Sequence, residues 1–299
     1  MVRNEADIIE AFVRVNSLVL DEIYIVDDRS DDMTLRILGQ LHMEGLPITV
    51  SQSGNQDLHM QSAWMVHQTN FATSKGCDFV VLLDADEFLI ESRAKLELEL
   101  SRLEPGCFGL LPWLSYVPTS LASATEPNFL TARFRPAAHA RDPHAKLVIP
   151  ASLAGPDLAV GRGNHWAPSA RTLEESHRLL GTRLGHVPVR TVQQIMRKSL
   201  IGSRVLSLKK NRAGEGAHWD RIAEFIRQRN YDLTLQDLQR IAYCYPSAPD
   251  IAEVCELLDA PCIPAVGELR YPIAAEPSLV ESLDRFAKFL CQQINETRR

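Results

Sequence analysis

The residues best suited to chemistry form one acidic run, Asp84-Ala85-Asp86-Glu87, directly after an apolar run, Phe79-Val80-Val81-Leu82-Leu83. Carboxylates two positions apart point to opposite faces of a strand. Past a strand end the chain can turn, and both can then reach one cation. Mg²⁺ and Mn²⁺ prefer oxygen ligands and keep positions open that phosphate oxygens can fill. Read alone, an Asp-x-Asp triplet arises by chance about once in a chain of this length, and a solvated acidic turn explains it as well. Its setting gives it weight, because ligands of open α/β sheets gather beyond the carboxyl ends of strands.

Other residues carry a functional and a structural reading side by side. His165, in Gly163-Asn164-His165-Trp166, suits a proton acceptor or a metal ligand, or a surface or capping His. His186, after Gly185 and before Pro188, suits a metal, phosphate or acceptor contact, or a loop His that fixes a turn. Lys146, at the start of a strand-like run, could reach a diphosphate or end the strand in solvent. Lys198 and Arg204 lie on a basic helical segment that could close over phosphates or face water. Trp113 and Tyr116 offer aromatic faces on which a ligand ring could stack, whereas Trp64 fits a helix core.

The elements that must position these groups alternate over residues 1 to about 90. Ile8, Ile9, Phe12, Val13 and Val19 recur at helical spacing, with Asn4 as N-cap. Ile23 to Val26 reads as a strand ending in Asp27-Asp28. A helix capped by Ser30 or Asp31 follows, then a strand at Ile48 to Val50, then a helix from Leu58 to Lys75 stopped by Gly76. The Phe79 to Leu83 run fits a strand covered on both faces. The pattern predicts a doubly wound α/β domain with a mainly parallel central sheet. Such a domain opens on a strand, whereas this sequence opens at the loop before its first helix. The first strand is therefore expected to be missing or a stub.

From Phe108 to about Asn164, short strand-like runs at Phe108 to Leu111, Leu130 to Phe134 and Lys146 to Ile149 predict a less regular region. Residues 171 to 212 read as basic helical segments. Beyond Trp219 the pattern is helical, at Ile222 to Arg229, Leu235 to Tyr243, Ile251 to Leu258 and Leu279 to Ile294. The expected division is a catalytic domain over 1–215 and a helical subdomain over 216–299.

The chain of 299 residues is 45% hydrophobic, enough for a sizeable core. Its net charge of −6 provides no global basic field for nucleic acid or anionic lipid. Six cysteines show no Cys-x-x-Cys spacing and read as free thiols of a reducing compartment. With no signal-peptide pattern and no run of about 20 apolar residues, the expectation is a cytoplasmic protein without a transmembrane segment.

Three segments together resemble the family 2 glycosyltransferases of GT-A fold. They are Val2-Arg3-Asn4-Glu5-Ala6-Asp7-Ile8-Ile9, then Ile25-Val26-Asp27-Asp28-Arg29-Ser30-Asp31-Asp32-Met33-Thr34, then Leu83-Asp84-Ala85-Asp86-Glu87-Phe88-Leu89. A fainter likeness runs through Leu184 to Arg190, Gln194, Lys198 and His218-Trp219. The resemblance implies an inverting transfer of a sugar from a UDP- or GDP-sugar to a hydroxyl of a glycan, lipid-linked or small-molecule acceptor. Arg3, Asn4 and Glu5 would line the nucleotide site, and Asp27 or Asp28 would bond base or ribose. Asp84 and Asp86 would hold Mn²⁺ or Mg²⁺ against the diphosphate, with His186 as a further metal ligand. Lys146, Arg190 and Lys198 would meet the donor's phosphates. The base is open between Asp157 and His165. Two alternatives stand beside this reading: a degenerate nucleotide-binding or scaffold protein, and a metal-dependent phosphatase. Phosphatases of haloacid dehalogenase type place Asp-x-Asp near the N-terminus with Thr after it, whereas Glu87-Phe88 follows here.

Overall fold

A computed structural model describes residues 1–53, 61–121, 133–137, 144–168, 172–207, 216–245, 257–258 and 263–271. The first part alternates as expected: α1 (Ile9–Asn16), β1 (Ile23–Asp27), α2 (Thr34–Met43), β2 (Ile48–Gln52), α3 (Gln61–Ser74) and β3 (Phe79–Val81). β1 and β2 pair in parallel, Ile23 opposite Ile48 through Asp27 opposite Gln52. Val2 makes a single parallel bridge to Asp27 on the other edge of β1.

Beyond β3 the chain forms β4 (Glu87–Leu89), α4 (Arg93–Leu100), β5 (Phe108–Pro118), β6 (Phe134–Pro136), β7 (Ala145–Pro150), β8 (His177–Leu179) and β9 (Leu184–His186). They build a seven-stranded sheet along β3-β7-β5-β9-β4, with β6 and β8 also on β5. The expected mainly parallel sheet is corrected here. β3 with β7, β5 with β7, β5 with β6 and β4 with β9 are antiparallel, and only β8 and β9 run parallel to β5. An apolar run encodes burial, not direction. β3 itself is half-buried along its length.

Helices α5 (Val192–Ser207), α6 (Ala217–Gln228) and α7 (Leu235–Tyr243) follow. The 171–212 region is thus mixed, since β8 and β9 precede its long helix. Two caps also differ. Asn4 adopts φ 55° ahead of α1, whose N-cap is Ile8 without a side-chain bond. Met33 precedes α2, and Asp32, not Ser30 or Asp31, accepts the Thr34 N–H at 2.8 Å. Leu257 bridges Ala137 in extended form where a helix end was expected; residues 251–256 and 279–294 lie outside the described residues.

The core follows from these layers. Ile9, Phe12 and Val13 of α1 pack with Ile37, Leu38 and Leu41 of α2 over Ile23 and Ile25 of β1. Leu111, Val148, Leu184 and Leu89 join the mixed sheet to Leu96 and Leu100 of α4. Ile222, Phe225 and Ile226 of α6 pack with Leu238 and Ile241 of α7, against Val117, Val189 and Ile195.

Candidate active site

After β3 the chain turns sharply. The Glu87 N–H donates to the Asp84 carbonyl at 3.1 Å, and the Asp84 N–H donates to Glu87 Oε2 at 2.8 Å. The turn presents Asp84 and Asp86 between β3 and β4. Each is met by a cation from a different element. Lys146, buried on β7, donates to Asp84 and to the Gly163 carbonyl at 2.8 Å, and lies 3.4 Å from Glu87 Oε1. Gln61 of α3 donates to Asp84 Oδ1 at 3.1 Å. Lys198 of α5 donates to Asp86 Oδ2 at 3.0 Å, with Arg190 Nη1 at 3.9 Å from the same oxygen.

Burial works against ionised carboxylates, yet the cations prevail at both acids. The Asp84 pKa is lowered by Lys146, and the Asp86 pKa by Lys198 and Arg190. Glu87 behaves oppositely. Its burial pushes the pKa up to about 8, with Lys146 only partly opposing. Asp84 and Asp86 thus hold their negative charge for a cationic partner, and Glu87 holds a proton near neutral pH.

The opening loop is laced to the turn after β1. The Asn4 N–H donates to Ser30 Oγ at 2.9 Å, Glu5 N–H to Thr34 Oγ1 at 3.0 Å, and Asp31 N–H to Asn4 Oδ1 at 2.9 Å. Asp27 Oδ2 accepts the Ser30 N–H at 3.0 Å, while its buried Oδ1 has no hydrogen-bond partner. Asp28 accepts Ser53 Oγ at 2.8 Å and lies 3.7 Å from Arg3.

Arg190 fastens this loop from behind. Its Nε donates to Asp7 Oδ2 at 2.5 Å, and its Nη2 donates to Glu5 Oε2 at 2.5 Å and Asp7 Oδ1 at 2.9 Å. The side chain is 1% exposed. Its guanidinium is therefore taken up by the loop, apart from Nη1, which faces Asp86.

Aromatic rings wall the acids. The His186 ring stacks on Trp113 at 3.8 Å, and the His144 ring also stacks on it at 5.2 Å. His165 meets Trp113 edge-on at 5.4 Å, and Tyr245 lies 5.5 Å from His186. Burial lowers the pKa of His165 to about 4 and of His186 to about 3, so both rings are neutral at pH 7. Nδ1 of His165 contacts the Ala145 carbonyl at 2.8 Å. That nitrogen must carry the proton, which leaves Nε2 as a proton acceptor. His186 Nδ1 is buried without a partner.

The structure thus joins Arg3, Asn4, Glu5, Asp27, Asp28, Asp84, Asp86, Lys146, His165, His186, Arg190 and Lys198 through shared contacts. Asp157 stands apart: it is exposed on the 155–158 turn, which Asn70 of α3 holds at Gly155. No described contact ties Asp157 to the acids. Asp7 and His144 join the site from outside the candidates that the sequence offers, and Glu87 joins it from the acidic run itself. Asp7 stands inside the opening motif segment, and nothing in the local pattern flags His144.

No protein-family profile matches the chain, and no curated protein matches it. Among solved structures, the chain is similar to Staphylococcus aureus TarS residues 1-349 in complex with UDP. That likeness covers 79% of this chain and 72% of the other, at 16% identity and a TM-score of 0.38.

Among the described residues, no three His, Cys, Asp or Glu side chains converge on a common metal position. The donor set still suits a hard cation. Mg²⁺ and similar ions are held by one or two carboxylates and complete their shell with water and substrate phosphates. Asp84 and Asp86, kept ionised, supply that number. Among the described residues, no helix is long and apolar enough to cross a membrane.

Proposed function

We propose that this chain is a GT-A-like glycosyltransferase that moves a sugar from a nucleotide diphosphate donor to an acceptor hydroxyl, with inversion. The observation that carries the reading is the turn at Asp84 and Asp86. It is ringed by Lys146 and Lys198 and sits beside the opening loop and the Asp27-Asp28 end of β1. Two ionised carboxylates between a buried and a partly buried lysine suit a diphosphate held through a divalent ion better than they suit a solvated turn.

In this reading Asp27 Oδ1, buried and unpartnered, accepts a hydrogen bond from base or ribose. Arg3, beside Asp28, lines the same pocket. Asp84 and Asp86 hold Mn²⁺ or Mg²⁺, which when bound offsets charge on the departing diphosphate. Lys146 and Lys198 add fixed positive charge around the leaving group. His165, neutral with Nε2 as acceptor, takes the proton of the attacking hydroxyl. Its low intrinsic basicity requires the developing charge of the reaction to strengthen it.

Calorimetry with UDP and GDP, with and without Mn²⁺, tests the reading together with release of sugar from nucleotide-sugars. Metal-dependent binding of one nucleotide is expected, and Asp86→Asn should weaken it at least about tenfold, the loss of one charge-assisted contact. Asp86→Asn with unchanged binding and transfer would sink the proposal. Absence of any nucleotide binding would favour the scaffold reading, and phosphate release from simple phosphoesters the phosphatase reading.

A further inference from the structure

The helical part of the chain brings a cluster of its own to the acids: His218 and Trp219 in the first turn of α6, and Tyr245 just past α7. The Tyr245 hydroxyl lies 3.2 Å from His218 Nε2, and the His218 ring meets the rings of Trp219 and Tyr245 at 5.2 Å each. Tyr245 in turn lies 5.5 Å from the His186 ring, and close enough to Lys198 and Asp86 to feel their charge. It continues the line of rings that runs through His186 and Trp113 to His165. Packing fixes the cluster. Trp219 lies against the Gly202 backbone of α5, where a Cβ would sit 2.4 Å from the indole. Lys198 stands one turn earlier on the same helix, and Ser203 donates to Asp220 Oδ1 at 2.6 Å beside the contact. The close approach of α5 and α6 therefore sets Trp219 relative to the lysine that meets Asp86.

The polar groups of the cluster are neutral and have bonding capacity left over. Burial lowers the His218 pKa to about 4, so its ring is uncharged at pH 7. Burial raises the Tyr245 pKa, so the hydroxyl keeps its proton. A hydroxyl both donates and accepts. Whichever way the bond to His218 runs, the Tyr245 oxygen can serve a second partner. Trp219 Nε1 is buried near that oxygen but outside hydrogen-bond geometry, and has no partner; a buried indole N–H ordinarily has one. The charges that face His218 are engaged: Lys198 with Asp86 and Glu5, Asp220 with Ser203, and exposed Arg221 through Nε with the Ala217 carbonyl at 3.4 Å. Neutral donors and acceptors among aromatic rings suit a ligand ring that carries hydroxyls. A phosphate here would have to compete with Asp86 and Glu5 for Lys198.

We propose that His218, Trp219 and Tyr245 form the acceptor subsite and bind a neutral sugar ring through two neighbouring oxygens. One oxygen takes the Trp219 N–H, and the next bonds the Tyr245 hydroxyl. An acceptor seated there lies along the line of rings that leads to His165. The role as acceptor subsite rests on the transferase reading; the affinity for a neutral sugar does not.

The test titrates the full chain, with Mn²⁺ and UDP or GDP present, using neutral methyl glycosides and the corresponding sugar phosphates. Calorimetry and tryptophan fluorescence are the readouts. At least one neutral glycoside should bind and change the fluorescence, and Trp219→Phe should remove that change. Tyr245→Phe should weaken the same glycoside about three- to tenfold, the loss of one neutral hydrogen bond. Gly202→Ala, which displaces the indole, should weaken it at least about tenfold. Calorimetry with the nucleotides alone separates the two readings: glycoside binding without nucleotide binding leaves the subsite standing and removes the transferase. Binding of no neutral glycoside overturns the proposal. So does tighter binding of the sugar phosphates, or an affinity that Trp219→Phe and Tyr245→Phe both leave unchanged.

Discussion

Replacing Arg190 by alanine tests whether the loop beside the acids is held by one buried guanidinium. The side chain donates three hydrogen bonds to Glu5 and Asp7 and is 1% exposed. Removing it leaves two carboxylates without their cation in a low-dielectric setting. Breaking a buried ion pair in this way costs about 3–5 kcal/mol. At about 2–4 °C per kcal/mol for a domain of this size, the Tm should fall by roughly 6–20 °C. Arg190→Lys keeps the charge but loses the planar fork, and should lose about half as much. The loss should depend on pH. Burial raises the Glu5 pKa above its ordinary value and Arg190 lowers it, so without Arg190 it climbs further. An acid with a raised folded pKa is most stabilising when protonated, below its unfolded value of about 4.3. The gap between wild type and Arg190→Ala should therefore be smallest near pH 4 and widen toward pH 7. Differential scanning calorimetry across that range reads both quantities. A Tm shift under 2 °C at pH 7, or a gap that does not change with pH, would refute the reasoning; ~2 °C is the effect of under 1 kcal/mol.

Two further outcomes follow from the same geometry. Glu87 has its folded pKa raised to about 8, so its contribution is complete below the unfolded value and is lost as pH rises toward 8; Glu87→Gln should flatten the stability profile over that window and exceed wild type at pH 8 in urea melts. Gly163 sits at φ 69°, and a Cβ there would lie 2.7 Å from the His165 ring; Gly163→Ala should cost about 1–3 kcal/mol and reduce sugar transfer by displacing His165, and a cost under about 0.5 kcal/mol in the same melts would count against that placement.

Much of the site was legible because it is local. The acid turn, the opening loop and the Asp27-Asp28 strand end each occupy a few consecutive residues, and the burial of Ile23 to Val26 and the stop at Gly76 follow from nearest neighbours. The wall of rings was not legible. Trp113, His144, His165 and His186 come from β5, the residue before β7, the turn after it and β9, and their stacking depends on strands pairing across long separations. Arg190 illustrates the same limit. As a lone basic residue after His186 it suits a phosphate contact, while the fold commits it to Glu5 and Asp7 almost the whole chain away.

What the sequence determines by itself is therefore the inventory: which stretches must be buried, where the chain turns, and that two carboxylates stand at the end of an apolar run. Tertiary structure decides charge and direction. Whether a carboxylate stays ionised depends on the cation packed against it: Lys146 and Lys198 lower the pKa of Asp84 and Asp86, while burial raises that of Glu87 one residue on. Whether a strand runs parallel or antiparallel depends on which edge it meets, since apolar side chains pay the same for burial in either direction.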